Sequence, residues 1–458
     1  MHPAPRAGFC VTQAAAAATP PGSRTRPLTT GDRAFLHFTR LNPGESLEIG
    51  VVLHVDDPTL TVEELRGQVA QRLRGAPALT ERLAPPAASA SEIVWEFDHE
   101  LDLDYHVDAE ELAAGSGDAG LRAALDRIAA RPLDVDRPLW RLWLLHGHTP
   151  GAVDVVYRFS HVHQDGGALH QALHLLFGPD RDPALANLPT YGMPRARDYA
   201  RIVARLPGEI PWTRQLASWG GAARGGARHT WAVTDLETLR RIARRHAVTI
   251  NDVYLAAIAG ALRAWSLPEW EHGGRPVHAA VPINLRAQSE RELMSNFTFG
   301  MRVPLPCAEP DPHRRLARIA ARTRRAKADG SLAVVGRRIL DTTPPDAPPR
   351  TLAQIASTGA RTKRAALVAS NVGTMRGPFS IAGREVSTLI GMPPLFVGRQ
   401  HLSVALFGLG AQLCAGFAAS ASVPRHGELA DLWLAELAAL DAPARRASVP
   451  AGNRGESS

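Results

Sequence analysis

Seven consecutive residues, Ser160-His161-Val162-His163-Gln164-Asp165-Gly166, hold the side-chain types that acid–base chemistry needs. A neutral histidine, with an unperturbed pKa near ~6.5, takes a proton from an alcohol at neutral pH if its other ring nitrogen is held by a fixed partner. His161 is the candidate base. Asp165, four residues on, either accepts from that ring or braces the loop through an arginine, and spacing does not choose between the two. The same residues also begin a His-x-His-x-Asp metal pattern, to which His170 and His174 would add ligands from one helix face. Gly166 stands where that pattern needs another histidine, so no metal site is expected.

The elements that must position these groups are legible around them. Residues 153–159 are β-branched and aromatic with partial alternation, which predicts a strand, and residues 168–177 have helical spacing. The polar cluster therefore occupies a strand-to-helix turn, where the adjacent Gly166 and Gly167 let the backbone bend tightly. A second strand over 141–145, joined through a glycine-containing turn, predicts an antiparallel hairpin.

At 458 residues with 45% hydrophobic content, the chain is long enough for two or three domains. No apolar run of about 18 residues predicts a spanning helix. The alanine run 14–18 lacks large apolar residues, so no signal peptide is expected. The three cysteines, Cys10, Cys307 and Cys414, show no paired spacing, which supports neither a disulfide framework nor a cysteine metal site and suits a reducing cytoplasm. A net charge of +7 suits an anionic membrane surface or a phosphate-bearing substrate. The basic residues are nearly all arginine and the apolar ones rich in alanine, as GC-rich coding gives by default, so the charge by itself points to no particular partner; no nucleic acid is expected among them.

Along the chain, residues 1–28 read as a disordered tail, 29–195 as an N-terminal domain, 196–230 as a connection, 231–443 as a C-terminal domain and 444–458 as a second disordered tail. Asp32 to Phe38 is an apolar patch, followed by a strand over 47–55 and a helix that Thr61 and Glu64 cap. A strand over 93–97, the polar segment 101–107 and a helix over 118–130 precede the hairpin. Thr234 and Glu237 bracket a helix over 235–246, and a nearly all-apolar, hence buried, helix starts at Thr249. Strands are expected over 277–285, 297–305, 366–372, 379–386, 401–407 and 412–417. An arginine-rich helix covers 312–327, a loop with a short helix 337–362, and a last helix 429–440.

Segments 31–38, 97–107, 132–143, 161–166, Asn251-Asp252, 281–286, 296–306 and 370–372 stand in the order and spacing of one family. From Leu28 to Leu440 the chain resembles the bacterial wax ester synthase/diacylglycerol acyltransferase family, within the CoA-dependent acyltransferases. The resemblance implies an α/β fold of two chloramphenicol-acetyltransferase-like domains, mixed sheets flanked by helices, with the active site in the channel between them. The family's His-His-x-x-x-Asp-Gly motif places its second histidine, the general base, on His161, and its end on Asp165 and Gly166. Ser160 stands where the first histidine is usual. Pro138-Leu139-Trp140 and Asn251-Asp252 match motifs with architectural or channel roles. Ser370-Asn371-Val372 matches a third, whose usual Pro-Gly-Pro continuation here reads Gly373-Thr374-Met375-Arg376-Gly377-Pro378.

The activity that the resemblance implies is transfer of a fatty acyl group from acyl-CoA to diacylglycerol or a long-chain alcohol, without a cofactor. Asn296, Thr298 and Asn371 are candidate oxyanion or tunnel residues. Acyl-CoA and a lipid or other alcohol are the partners, with a peripheral membrane surface beside them. The expected location is the cytoplasm, at the inner membrane face or lipid droplets. Two alternatives stay open, an acyltransferase for a specialised-metabolite hydroxyl and a degenerate member that binds lipid without catalysis; a metal-dependent hydrolase built on the His-x-His-x-Asp pattern ranks behind both.

Overall fold

The structure is a computed structural model that describes residues 24–43, 45, 47–85, 93–97, 101–179, 188–209, 212–357 and 363–443. The expected tails at 1–23 and 444–458 lie outside the described residues. In chain order the first half comprises β1 (Thr25–Pro27), α1 (Thr30–Leu41), β2 (Glu48–Val55), α2 (Val62–Leu73), β3 (Glu81–Ala84), β4 (Val94–Phe97), α3 (Leu103–His106) and β5 (Val107–Glu111). It continues with α4 (Gly117–Ala130), β6 (Trp140–His146), β7 (Val153–Ser160), α5 (Gly166–Phe177) and α6 (Ala196–Glu209). The second half comprises β8 (Ala227–Asp235), α7 (Leu236–Arg245), α8 (Ile250–Trp265), β9 (Val277–Asn284), β10 (Thr298–Leu305), α9 (Pro312–Asp329), α10 (Ser331–Thr342) and α11 (Pro349–Ser357). It ends with β11 (Leu367–Met375), β12 (Ser380–Ile381), β13 (Arg384–Met392), β14 (Leu402–Leu409), β15 (Gln412–Ser420) and α12 (Leu429–Asp441).

These strands build two six-stranded sheets, ordered β12-β13-β2-β7-β6-β5 and β10-β9-β11-β14-β15-β8, and a small sheet β1-β4-β3. Both large sheets are mixed. The first is parallel only between β5 and β6, and the second only where β11 meets β9 and β14. Burial explains the strand composition: β14 is buried along its whole length, so it reads as a continuous apolar run rather than an alternating one. The expected hairpin forms, with Trp140 opposite Phe159 and Leu145 opposite Asp154.

Local signals hold where a cap or a period carries them. Thr61 and Glu64 make a reciprocal capping box on α2, and Thr249 and Asp252 make another on α8. α8 packs against α7, α9 and α12 beside the second sheet and is buried from Asp252 to Leu262.

Several expectations are corrected. Thr25–Pro27 of the expected tail 1–28 pairs antiparallel with β4. The expected connection 196–230 contains α6 and the start of β8, an edge strand of the second sheet. Asp32 to Phe38 is not a patch but part of α1, started by a Thr29 and Asp32 capping box. In the 337–362 region the expected short helix is α11, but the region begins inside α10 and not in a loop, because its prolines fall between the two helices and at a first helical position. The cap of α7 is Asp235, without a side-chain bond, rather than Thr234 with Glu237.

The largest correction concerns β12 and β13. They lie within the expected C-terminal domain 231–443, yet β13 pairs antiparallel with β2, with Met392 opposite Gly50, and extends the first sheet. This exchange also brings the sheets together. A Cβ on Gly416 of β15 would lie 2.1 Å from the carbonyl oxygen of Gly391 on β13, so the two backbones touch where only glycine fits.

Candidate active site

Ser160 ends β7 and Asp165 caps α5, leaving a turn whose amides from His161 to Gln164 are all bonded. The Ser160 carbonyl accepts from the amides of His163 and Gln164, and its hydroxyl accepts from the Val162 amide at 3.2 Å. The residue standing where a first histidine is usual therefore holds the turn. His161 itself is anchored by its amide donating to the Leu47 carbonyl at 2.8 Å.

The His161 ring is stacked on Phe35 of α1, centroids 4.0 Å apart and planes 17° from parallel. Its Nδ1 lies 2.9 Å from Oδ1 of Asn296. The Asn296 amide nitrogen donates to Asp32 Oδ1 and to the Val162 carbonyl, each at 3.0 Å. Both of its hydrogens are thus spent on atoms that can only accept, so the atom facing His161 is the amide oxygen. An oxygen there requires the imidazole hydrogen on Nδ1. Nε2 is left with its lone pair, and it forms no hydrogen bond among the described residues. Burial pushes the imidazolium below the ordinary histidine pKa, against the opposing pull of the Asp165 charge and the Asn296 bond, so the ring is neutral at neutral pH.

Asp32 is the fixed point behind this arrangement. It is fully buried, and its Oδ1 accepts from both the backbone amide and the side chain of Asn296. Its Oδ2 accepts from the Thr29 amide, the Ser295 hydroxyl and the Trp95 indole, with the Arg26 guanidinium 3.9 Å away. Gly31 beside it is required by contact. A Cβ there would stand 2.2 Å from the Asn296 carbonyl oxygen.

Asp165 does not bond to the His161 ring. Its Oδ1 accepts from the Ala168 amide at 2.9 Å and from Arg286 at 2.8 Å, and its Oδ2 accepts from the Phe297 amide at 2.9 Å. Burial raises its pKa, and the Arg286 guanidinium with the two amides outweighs that, holding the carboxyl below the usual aspartate value. Of the two roles left open by spacing, the geometry takes the arginine. Arg286 also donates to the carbonyls of Glu290, Leu293 and Ser295, so one buried guanidinium ties the turn to the segment just before β10 that carries Asn296 and Phe297.

The remaining candidates separate. Thr298 and Gly166 join His161 in lining one cavity, with about 1200 Å³ of open space including its mouth. Its walls are apolar and come from both halves, among them Ile49, Phe159, Leu169, Val368, Ala405 and Phe407. Along β11, Val368, Ser370 and Val372 face this cavity, whereas Asn371 alternates to the other side, where it is exposed and reaches Asn251 at 3.5 Å. Asn371 and Asn251 therefore do not approach His161. Asp252 accepts from Thr249 and Thr323 and serves the helix. Asn296 has no donor left for an oxyanion, which leaves Thr298.

His163 is buried against Trp95, with Nε2 2.9 Å from Glu81. His170 donates from Nε2 to the Val372 carbonyl at 2.9 Å, and His174 packs on the Phe379 ring. Among the described residues no group of three or more His, Cys, Asp or Glu is placed to hold a metal. Sequence reasoning missed Asp32 and Phe35 as site residues. The Thr29-x-x-Asp32 spacing of a capping box was the available signal for the first.

Residues 28–218 match the wax ester synthase/diacylglycerol acyltransferase catalytic domain, and residues 294–441 match the C-terminal domain of the same family. A Mycobacterium tuberculosis protein named "Probable diacyglycerol O-acyltransferase tgs1" is 27% identical over 436 residues, covering 86% of this chain and 91% of that protein. The structure of the wax ester synthase/diacylglycerol acyltransferase of Marinobacter aquaeolei superposes with a TM-score of 0.63 at 19% identity, over 91% of this chain and 98% of that one. The first condensation domain of the calcium-dependent antibiotic synthetase superposes with a TM-score of 0.61 at 16% identity, over 92% and 96%. The two-sheet α/β fold is thus the one expected. With both family domains matched in order along the chain, this protein belongs to the wax ester synthase/diacylglycerol acyltransferase family and is an acyltransferase.

Proposed function

We propose that the protein transfers a fatty acyl group from acyl-CoA to the hydroxyl of diacylglycerol or a long-chain alcohol, with His161 as general base. The observation that carries this reading is the imidazole tautomer: Nδ1–H is committed to Asn296, and the basic Nε2 belongs to a side chain lining an apolar cavity between the sheets. Nε2 takes the proton from the acceptor hydroxyl as its oxygen attacks the thioester carbonyl. The tetrahedral intermediate expels the CoA thiolate, and the imidazolium returns the proton to that sulfur, giving ester and free thiol. No acyl-enzyme is needed. The hydroxyl of Thr298, on the cavity wall, is the candidate donor to the oxyanion, a type of contact worth about 2.7–4 kcal/mol where it has been removed from other enzymes.

The size and apolar lining of the cavity support a chain-like substrate over a small polar one. Lipid substrates imply a cytoplasmic enzyme working at a membrane face or lipid droplet. Incubation with radiolabelled palmitoyl-CoA and diacylglycerol, hexadecanol or a water-soluble alcohol, resolved by thin-layer chromatography, tests the proposal. Labelled triacylglycerol or wax ester is the expected product. Esterification of the soluble alcohol alone would move the acceptor to a specialised metabolite, and free palmitate alone would sink acyl transfer to alcohols.

A further inference from the structure

Among the described residues no single helix is long and apolar enough to cross a membrane. An enzyme drawing long-chain substrates from a bilayer must then dock on its surface. α6 has the composition for this and presents it outward. Its less exposed side is Asp198, Ile202 and Arg205, spaced by one and two turns. Tyr199, 46% exposed, and Val203, one turn on and 61% exposed, stand on the adjoining flank, so the apolar stripe that turns inward at Ile202 continues out to the surface.

The surroundings extend the same surface. Met193 before the helix and Trp212 beyond it are each 60% exposed, and α6 packs on α10, where Ile339 is also exposed. The next residue, Leu340, lines the cavity that holds His161, so this surface borders the substrate site. Cations are set among the apolar groups. The Arg338 guanidinium reaches the Met193 sulfur at 3.7 Å, and the Lys363 ammonium lies 4.7 Å over the Trp212 ring. Arg195 and Arg197 sit at the start of α6, where the helix dipole disfavours positive charge, and neither side chain pairs with a carboxylate among the described residues.

The geometry points to α6, with Met193 and Trp212 at its ends, as the face that docks on an anionic lipid bilayer. Exposed aromatic and aliphatic side chains enter the headgroup boundary while interleaved arginine and lysine meet the phosphates. A second copy is the less suited occupant, since a two-fold contact would set this cationic face against itself. The inference rests on the acyl-transfer reading and deepens it by naming where lipid substrates are met.

Co-sedimentation of the full chain with vesicles tests it. Wild type is expected to bind vesicles half phosphatidylglycerol at least about tenfold more tightly than pure phosphatidylcholine, and to be largely released when salt rises from 0.1 to 1 M as the Debye length falls from ~10 to ~3 Å. The double variant Tyr199→Glu/Val203→Glu, and separately Arg195→Glu/Arg197→Glu, should each weaken anionic-vesicle binding at least about tenfold. Both variants should keep wild-type melting and turnover of palmitoyl-CoA with a water-soluble alcohol. Unchanged vesicle binding in both variants overturns the proposal, as does wild type that binds no vesicle. So does a concentration-dependent dimer that Tyr199→Glu/Val203→Glu abolishes while vesicle binding persists. Vesicle binding that behaves as described, with no ester formed from any acceptor, would sink the acyl-transfer reading and leave the docking face standing.

Discussion

Asn296 turns its amide oxygen, and not its nitrogen, toward the Nδ1 of His161 at 2.9 Å, because both of its hydrogens are held by Asp32 and the Val162 carbonyl. The pair fixes which ring nitrogen is basic. A side chain that cannot itself ionise thereby does the orienting, while the buried charge of Asp32 stays one residue further from the chemistry.

Removing the Nδ1 acceptor should expose this role. Asn296→Leu is expected to lower kcat on the order of 100-fold, because the ring loses its tautomer and orientation, an effect within the ~10²–10⁴ range of a positioned general base. Steady-state kinetics with palmitoyl-CoA read it out. A KM change with kcat intact would place Asn296 in substrate binding instead.

His161→Ala is expected to abolish ester formation with little change in melting temperature, whereas His163→Ala should retain turnover and lose stability. The buried Glu81 keeps Arg26 but loses its second partner in the latter, an unsatisfied-group cost of about 1–3 kcal/mol. The pH profile adds a sign. Because the His161 pKa is lowered, the protonated, inactive form appears only below the ordinary ~6.5, so the acid limb of kcat/KM should lie on the acid side of that value. A limb above it would contradict the assignment.

Asp165→Asn leaves the Arg286 guanidinium buried without its charge partner, and breaking such a pair costs about 3–5 kcal/mol. Denaturant unfolding should register that loss together with reduced activity. The Asp165 pKa is depressed in the folded protein, so its contribution is present above the unfolded value near ~3.9 and is lost as pH falls through the folded value. Wild type should accordingly lose stability in that acid window more steeply than the variant. Equal slopes would refute the ion pair's contribution.

Gly31→Ala should push α1 off Asn296, since the added Cβ would meet its carbonyl oxygen at 2.2 Å. Both stability and kcat should drop. Gly67→Ala, on an exposed turn of α2 with no atom within 4 Å of its Cβ, is the control and should stabilise by about 0.4–1 kcal/mol. Thermal melts and activity of the two variants side by side decide it; a silent Gly31→Ala would mean the contact yields.

By itself the sequence determined what short-range physics controls. The apolar run of β7, the glycines and cap that open α5, the Trp140–His146 hairpin partner and the Thr61 box are set by side-chain period and by bonds within a few residues. That was enough to put His161 on a turn at the edge of a buried sheet. It was not enough to say what holds it. The partner of Asp165 lies 121 residues away in Arg286, and the residue fixing Asn296 lies 264 residues away in Asp32. β13 carries ordinary strand composition in either sheet, and only packing against β2 and the close Gly391–Gly416 approach decide that it joins the first. Asn371 and Thr298 look equivalent as polar residues on strands, and the side of the pleat that faces the cavity separates them. Such choices are made by long-range contacts between surfaces that local propensity leaves equally favourable, so they are resolved only when the two sheets close around the cavity.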